Sequence, residues 1–489
     1  MHTQLGELGI LINGDRGKNY PNKKALVKSG IPFINAGHIQ DGIINLSEMN
    51  YVTEERFNLL GSGKVKSNDI LYCLRGSLGK TAIVKNITTG AIASSLVIIR
   101  PYNFSKEEYL YYFLVSPFGD AEIRKHDNGS AQPNLSAKSL RSYSVPLPPL
   151  NEQKRIVTKI EALQTRSTAV KEELEAIKPL LNQFRQSVLA SAFRGDLTKD
   201  WREQNPDVES TEVLFKDSND LVISNEPIPK TWIHIKLNSL INKIQAGKNF
   251  KCPEIPVNQD TVGLVKISAV TWGRFNPQET KTVDDESKIN PDLFINKGDF
   301  LVSRANTIEL VGASVIVEEI NYQIMISDKV WRIITNEKAN KQYIDFFLKS
   351  KQGRKEIETR ATGNQQSMRN IAQKAFSAIE IPYAPVEEQK EIVRRIESLF
   401  KLADSIEQQY QQAEVDLDTL NQSILAKAFR GELVPQDPND EPASVLLERI
   451  REERDKAKTT AKKSKTKKKK SSKKSSSKKK DEQLGIPGM

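Results

Sequence analysis

One segment of this chain is written twice. Glu152 to Leu197 and Glu388 to Leu433 align without a gap over 46 residues at a constant offset of 236, with 18 identities. Prolines lead each copy, in Val145-Pro146-Leu147-Pro148-Pro149 and in Ile381-Pro382-Tyr383-Ala384-Pro385, and each copy closes on Ala-Phe-Arg-Gly, at 192–195 and at 428–431. The order is therefore variable block, repeat, variable block, repeat.

Inside the repeat the apolar positions step alternately by four and three: Ile156, Ile160, Leu163, Ser167, Val170, Leu174, Ile177, Leu181, Phe184 and Val188. That spacing is a heptad seam. The second copy keeps its phase through Ile392, Ile396, Leu399, Ala403, Ile406, Tyr410, Ala413, Leu417, Leu420 and Ile424. Both copies are predicted to be long helices, entered at proline and stopped at Gly195 and Gly431. At 1.5 Å per residue the seam makes a rod of about 55 Å. Two apolar stripes in one chain are buried most economically against each other, and spacing alone leaves parallel and antiparallel pairing open. Pro179 stands where the second copy has Val415, so a kink is expected in the first helix only.

The formal charge of +11 is located in one place. Lys456 to Lys480 holds 14 lysines and no acidic residue, and removing them leaves −3 for the rest of the chain. Any basic surface on the folded body must be local. The tail has no apolar residues to bury and reads as disordered, serving either as a solvated extension or as a nonspecific phosphate-binding arm. With 489 residues the chain has room for three or four domains. Only Cys73 and Cys252 are present, which points to a reducing cytoplasmic compartment rather than a disulfide framework. No signal-peptide pattern and no apolar run of membrane-spanning length is found, so no membrane partner is expected.

The two blocks, 1–145 and 230–381, read as divergent copies of one mixed α/β unit. Strand-like runs at Ile31–Ile34, Asp69–Leu74 and Ser95–Ile99 are matched by runs at Gly263–Ile267, Asp299–Arg304 and Val330–Ile334. A helix is expected at Glu107–Phe118 in the first block and at Tyr343–Ser350 in the second. Residues 146–197 and 382–433 are the two spacer helices, 198–229 a polar linker, 434–455 a helical extension and 456–489 the lysine-rich tail.

Catalytic patterns are missing. Gly76-Ser77-Leu78-Gly79-Lys80-Thr81 ends like a phosphate-binding loop, but Leu74 stands where the loop requires its first glycine. A hairpin turn between Ile70-Leu71-Tyr72 and Ala82-Ile83-Val84 is the expected structure. There is no Asn-Pro-Pro-Tyr or Asp-Pro-Pro-Tyr run and no Gly-x-Gly-x-x-Gly loop. His2, His38, His126 and His234 are scattered without partners at zinc spacing, so neither a metal nor a catalytic residue is assigned. What the blocks do offer is loops rich in donors. Arg reads guanine, Asn and Gln read adenine, and Lys and Ser fix register on phosphate. The candidate DNA-binding residues in the first block are Arg16, Lys18, Asn19, Tyr20, His38, Arg75, Ser77, Lys80, Arg124, Lys125, Asn128, Ser130 and Gln132. In the second they are Lys248, Asn249, Trp272, Arg274, Arg304, Asn306, Arg360, Asn364, Gln365, Gln366 and Arg369. Each of these residue types also serves as a plain turn former.

Duplicated heptad helices led by Pro-x-x-Pro-x-x-Glu-Gln and ended by Ala-Phe-Arg-Gly, with divergent blocks between them, resemble the specificity subunit of type I restriction-modification enzymes. The resemblance covers about Leu5 to Leu433. It implies an α+β fold: two mixed α/β target recognition domains separated by two long helices that form an antiparallel coiled coil with an internal pseudo-twofold repeat. It further implies that each domain reads one half of a bipartite site in double-stranded DNA, with the helices fixing the gap. Two methyltransferase subunits would dock on the spacer helices, and restriction subunits would join them. S-adenosylmethionine, ATP and Mg²⁺ would then belong to those partners, with no cofactor in this chain. Two features depart from the pattern: the first block lacks a counterpart of Pro229-Lys230-Thr231-Trp232, and the lysine tail has no family role. A noncatalytic coiled-coil scaffold with two protein-binding end domains is the competing reading.

Overall fold

The computed structural model describes residues 1–456 apart from 105, 127–133, 217, 225, 272 and 366–367, with the backbone alone of 364–365. The chain divides into two compact units. One comprises 1–173 and the chain from Ala413 onward; the other is Leu174–Gln412. Each unit thus takes one variable block and a portion of both long helices.

In the first unit an antiparallel sheet runs in the order Gly9–Asn13, Leu96–Pro101, Ile70–Cys73, Thr81–Ile83. All four residues of Ile70–Cys73 are buried because both faces of this strand are covered. Alternation sends Ile70 and Tyr72 toward the helices, in a cluster with Tyr109, Phe113 and Tyr143, while Leu71 and Cys73 face Ile34, Ile92 and Leu96 on the other side. A second sheet orders Tyr51–Val52, Ile31–Ile34, Gly90–Ile92 and Lys64–Val65, with the middle pair parallel. His2–Gln4 pairs with Ser144–Pro146 and ties the ends of the block together.

The second unit repeats this plan. Its main sheet orders Ile241–Ala246, Val330–Thr335, Phe300–Ser303 and Ser314–Ile316, all antiparallel. Its second sheet orders Thr280–Val283, Val262–Val265 and Gln323–Met325, again with one parallel pair. Ile233–Lys236 pairs with Glu380–Tyr383. Even the buried ion pair is duplicated. Asp69 accepts from Arg100 Nε and Nη2, both at 2.7 Å, and Asp299 accepts from Arg332 Nε at 2.8 Å. Each aspartate also fixes the turn before its strand, accepting from the Lys66 amide at 2.7 Å or the Asn296 amide at 2.8 Å.

The repeats form Leu150–Arg194 and Val386–Arg430, 45 residues each. Their shared Glu-Gln has a local explanation in its glutamine: Gln153 Nε2 donates to the Pro148 carbonyl at 3.0 Å and Gln389 Nε2 to the Ala384 carbonyl at 2.8 Å, locking each proline lead onto its helix. Gly195 and Gly431 take the left-handed conformation, with φ of 85° and 76°, as the capping pattern predicts. In the first unit Ile156 and Ile160 share a cluster with Ile424, Leu425 and Phe429; in the second, Val188 and Phe193 share one with Ile392 and Ile396. The start of each helix therefore meets the end of the other, and within each unit the two segments run in opposite directions.

Several expectations are revised. The seam is uneven: Val170, its counterpart Ile406, and Leu420 are exposed, because burial concentrates near the helix ends, where a globular block backs the seam. Helix Leu150–Arg194 includes Pro179 within its length. Among the helices that escaped the sequence reading are two of ten residues each. Glu107–Leu114 is followed by Pro117–His126, and Lys341–Lys349 by Lys351–Arg360. Both second helices are strongly polar, and their apolar periodicity is too sparse to register. Nor is the linker a bare tether. Thr211–Phe215 is a short helix whose Phe215 packs edge-on against Tyr383 at 5.1 Å, and Thr198 and Thr211 are buried. After the second repeat, helix 443–456 sets Leu446, Leu447 and Ile450 into the core of the first unit. The lysine tail lies outside the described residues.

Candidate nucleic-acid interface

The turn that follows the third strand of each main sheet is the best defined part of the site. In the first unit Tyr72 pairs with Thr81, and Gly76 and Gly79 take φ of 77° and 83°. The resemblance to a phosphate-binding loop is thereby resolved into the expected hairpin. Arg75, Ser77 and Lys80 stand exposed on it. Its neighbour is the segment that follows helix Pro117–His126. Arg75 forms a bridge with Asn134, and its Nε donates to Asn134 Oδ1 at 3.2 Å. The Leu135 amide donates to the Leu74 carbonyl at 2.9 Å. Arg124 and Lys125 are exposed at the end of that helix, with Lys125 3.6 Å from Glu122. Asn128, Ser130 and Gln132 lie outside the described residues.

The second unit builds the same junction more fully. Ala305–Asn306 pairs with Met368–Asn370, which pairs with Thr362–Gln365, so two loops singled out separately in the sequence form one three-stranded sheet. The Ile371 amide donates to the Arg304 carbonyl at 2.9 Å, the counterpart of Leu135 to Leu74. Arg304, just before this sheet, and Arg369, within it, each carry a buried Nε that meets no acceptor among the described residues. Arg369 is held in place by Nη1 donating to the Gly363 carbonyl at 2.7 Å. Gln366 and Trp272 lie outside the described residues, as do the side chains of Asn364 and Gln365.

Beside this sheet a cleft of about 560 Å³ brings Asn249 and Asn306 together with Lys266, Ser268 and Lys329. The last three were missed by sequence reasoning. Lys329 is the structural counterpart of Ser95, its carbonyl accepting from the Arg304 amide at 2.9 Å as that of Ser95 accepts from the Leu74 amide at 2.8 Å. Part of the cleft's positive charge is balanced. Glu254 lies 3.1 Å from Lys266 and 2.5 Å from Lys281, which hold its carboxyl below the usual range. Lys248 is exposed nearby in sequence, and Arg274 is exposed 3.7 Å from Glu318.

Other candidates are drawn into the protein. His38 is buried; its Nδ1 accepts from the Asn35 amide at 3.1 Å and its Nε2 lies 3.3 Å from Asn50, so it caps a turn and presents no face to a ligand. Burial lowers its pKa, consistent with a neutral ring acting as acceptor. Asn19 Nδ2 donates to the Leu59 carbonyl at 3.0 Å, and the Tyr20 hydroxyl accepts from the Ser94 amide at 3.4 Å while its ring packs on Phe33. Arg16 Nη2 reaches the Ser94 carbonyl at 3.2 Å. Of this loop Arg16 and Lys18 nevertheless stay exposed to solvent. Arg360 is tied to Glu356 at 2.8 Å and Glu380 at 3.8 Å.

Among the described residues no three His, Cys, Asp or Glu side chains are disposed to hold a metal, and no helix is long and apolar enough to cross a membrane. His126 stacks on Tyr143 at 5.6 Å, and the buried Cys73 thiol is pushed up by desolvation, away from thiolate chemistry. Among the described residues this site places no activated nucleophile.

Comparison with known proteins gives a coherent picture. The family described as "Type I restriction modification DNA specificity domain" matches residues 2–178 and 229–415. The chain is 29% identical over 458 residues to the type I restriction enzyme EcoKI specificity subunit of Escherichia coli K12, covering 90% of this chain and 92% of that one. It is 32% identical over 349 residues to the EcoBI specificity subunit of Escherichia coli, covering 66% of each. In fold it is similar to the HsdS subunit of Thermoanaerobacter tengcongensis, with a TM-score of 0.52 and 18% identity over 88% of this chain and 97% of that one. A chain from a type I R-M system studied for its assembly and conformational transition gives 0.62, also at 18% identity, over 88% of this chain and 98% of that one.

Proposed function

The chain belongs to the type I restriction-modification DNA specificity family, and from that premise we propose how its two units divide the work. The protein is a DNA sequence-recognition subunit without catalytic activity of its own, acting within a restriction-modification complex. Family membership displaces the scaffold alternative.

Each unit reads one half of a bipartite, gapped site in duplex DNA. The observation that carries this reading is the duplicated junction: one backbone frame presents Arg75 beside Asn134 in the first unit, and Arg304, Asn306 and Arg369 in the second. A shared frame bearing different donors is what two readers of different half-sites require. The long helices pair as an antiparallel coiled coil and set the gap. At about 55 Å, a seam of this length is comparable with one and a half turns of duplex. Coupling two weak half-site contacts through a stiff spacer raises their effective concentration and rejects sites of the wrong gap. Two methyltransferase subunits dock on these helices and restriction subunits join them. S-adenosylmethionine, ATP and Mg²⁺ serve those partners, and methylation of adenine N6 requires the base to leave the stack while both units hold duplex.

The test is methylome sequencing of cells carrying the partner methyltransferase with and without this chain. A two-part gapped adenine motif that depends on the chain is expected. An unchanged methylome, with assembly verified, would overturn the assignment. In the same assay R75A should relax one half of the motif and R304A the other, whereas equal loss in both halves would refute one unit per half-site.

A further inference from the structure

Two lysines of the second unit share one carboxylate. Glu254 Oε2 lies 3.1 Å from Lys266 Nζ and Glu254 Oε1 lies 2.5 Å from Lys281 Nζ, so each oxygen serves a different ammonium. Lys266 follows strand Val262–Val265, and Lys281 lies on its neighbour Thr280–Val283, opposite Leu264. The loop that carries Glu254 is pinned on both sides of it: the Thr282 amide donates to the Pro253 carbonyl at 3.2 Å, and the Thr282 hydroxyl to the Ile255 carbonyl at 2.9 Å. The backbone is thus held in place while the Glu254 side chain keeps 64% of its surface in solvent. Lys281 and then Lys266 hold its carboxyl below the usual range, so it is ionised at neutral pH.

The first unit has the same frame with different side chains on it. Ile31 pairs with Val52 and Pro32 with Tyr51, as Val262 pairs with Val283 and Gly263 with Thr282. That shared register makes Asn35 the counterpart of Lys266 and Asn50 the counterpart of Lys281. The short helical turns Ala36–His38 and Ile267–Ala269 follow at matching positions, which sets His38 at the place of Ala269. The His38 ring accepts from the Asn35 amide at 3.1 Å and lies 3.3 Å from Asn50 Nδ2, so neutral groups close on one another where the second unit holds two cations and an anion. Lys329 likewise matches the neutral Ser95. At these three positions the second unit is cationic and the first is neutral.

A phosphodiester carries two non-bridging oxygens on one phosphorus, as a carboxylate carries two on one carbon, so it can engage the same pair of lysines, one oxygen to each. The exchange is open, because Glu254 is solvent-exposed and both lysine side chains are partly so. The pair also faces space for a ligand, since Lys266, Lys281 and Glu254 line the cleft of about 560 Å³ that Asn249 and Lys329 share. We propose that Lys266 and Lys281 form a seat for one phosphate of the DNA backbone, that Glu254 fills it in the free protein as a built-in counterion, and that DNA expels this carboxylate on binding. The inference rests on the reading of the chain as a DNA-recognition subunit and adds an asymmetry to it: this phosphate contact belongs to the second unit, and Asn35 and Asn50 leave the first unit without its equivalent.

The experiment measures binding of the full chain to a duplex of mixed sequence as a function of salt, for the native protein, E254Q, K266Q/K281Q and the triple variant. None of the three side chains is buried, so the substitutions spare the core, and tryptophan-detected melting verifies the fold of each variant. K266Q/K281Q should lower the log–log salt slope by about 0.9, the value for one phosphate. E254Q should tighten binding about three- to tenfold at fixed salt, because two exposed ion pairs no longer have to be broken. In the triple variant that gain should shrink to less than about twofold relative to K266Q/K281Q, since no lysine is left to release. An unchanged slope in K266Q/K281Q, or an E254Q gain of the same size with and without the lysines, would overturn the seat while leaving DNA recognition standing. A native chain that binds duplex with no salt dependence at all would instead overturn the reading on which the proposal rests, and the seat with it.

Discussion

Replacing Asp69 or Asp299 by alanine should unfold one unit before the other, and by different amounts. Asp69 is 1% exposed and accepts two hydrogen bonds from Arg100, but the Arg100 side chain keeps 26% of its surface in solvent. After D69A that guanidinium can rehydrate, so the cost sits at the low end for breaking a buried pair, about 3 kcal/mol. Arg332 keeps only 10% exposure. Its remaining partners are Gln245 Oε1 at 2.9 Å and the Asp292 and Phe294 carbonyls, none of which carries charge. D299A therefore strands a buried cation and should cost nearer to about 5 kcal/mol. For units of this size each kcal/mol moves the midpoint by about 2–4 °C, which separates the two variants by several degrees. Tryptophan fluorescence during thermal unfolding is the assay, because every tryptophan belongs to the second unit. D299A should lower the tryptophan-detected midpoint strongly, while D69A lowers a circular-dichroism transition that tryptophan does not see. D69A/R100M should recover much of the loss, since a matched apolar pair removes the uncompensated charge. A tryptophan midpoint equally sensitive to D69A and D299A would refute the reasoning.

Acid should weaken both units through buried histidines. Burial lowers the pKa of His38 and His234 below the ordinary 6.5, so the stability they confer is complete above that value and is lost as pH falls, when the unfolded chain takes up protons that the folded chain refuses. H38Q and H234Q should flatten the stability profile between pH 6.5 and the lowered folded values, measured by urea unfolding. P179A should raise the unfolding midpoint of the second unit, because proline removes a backbone donor to the Glu175 carbonyl at a typical cost of up to about 3 kcal/mol; an unchanged midpoint would show that the helix already relaxes around the ring. Truncation after Lys456 should make nonspecific DNA affinity less dependent on salt, the log–log slope falling by about 0.9 for each phosphate that the tail neutralises, and identical slopes would leave the tail as a solvated extension.

Periodicity and repetition carried much of the architecture. The heptad steps of 156–188 and 392–424 depend only on which residues are apolar, and a long amphipathic helix is the one local structure that aligns them, so Leu150–Arg194 and Val386–Arg430 were legible from sequence. The glycine stops and the Gly76/Gly79 hairpin were legible for the same reason: positive φ is a property of single residues. Strand order was not. Nothing in Ile70–Cys73 says that its neighbours are Thr81–Ile83 and the distant Leu96–Pro101, because pairing is chosen by how two sheets and a helical layer bury one another. The candidate interface divided along the same line. Donor-rich loops could be found by composition, but only tertiary structure turned His38 inward onto Asn35, stitched Asn19 and Tyr20 to neighbouring loops, and laid Ala305–Asn306 beside Met368–Asn370. A residue's chemistry is written in its identity. Whether that chemistry is spent inside the protein or held for a ligand depends on which acceptors the rest of the chain brings within about 3 Å, and that distance is set by packing between segments as far apart in sequence as Ala305 and Asn370.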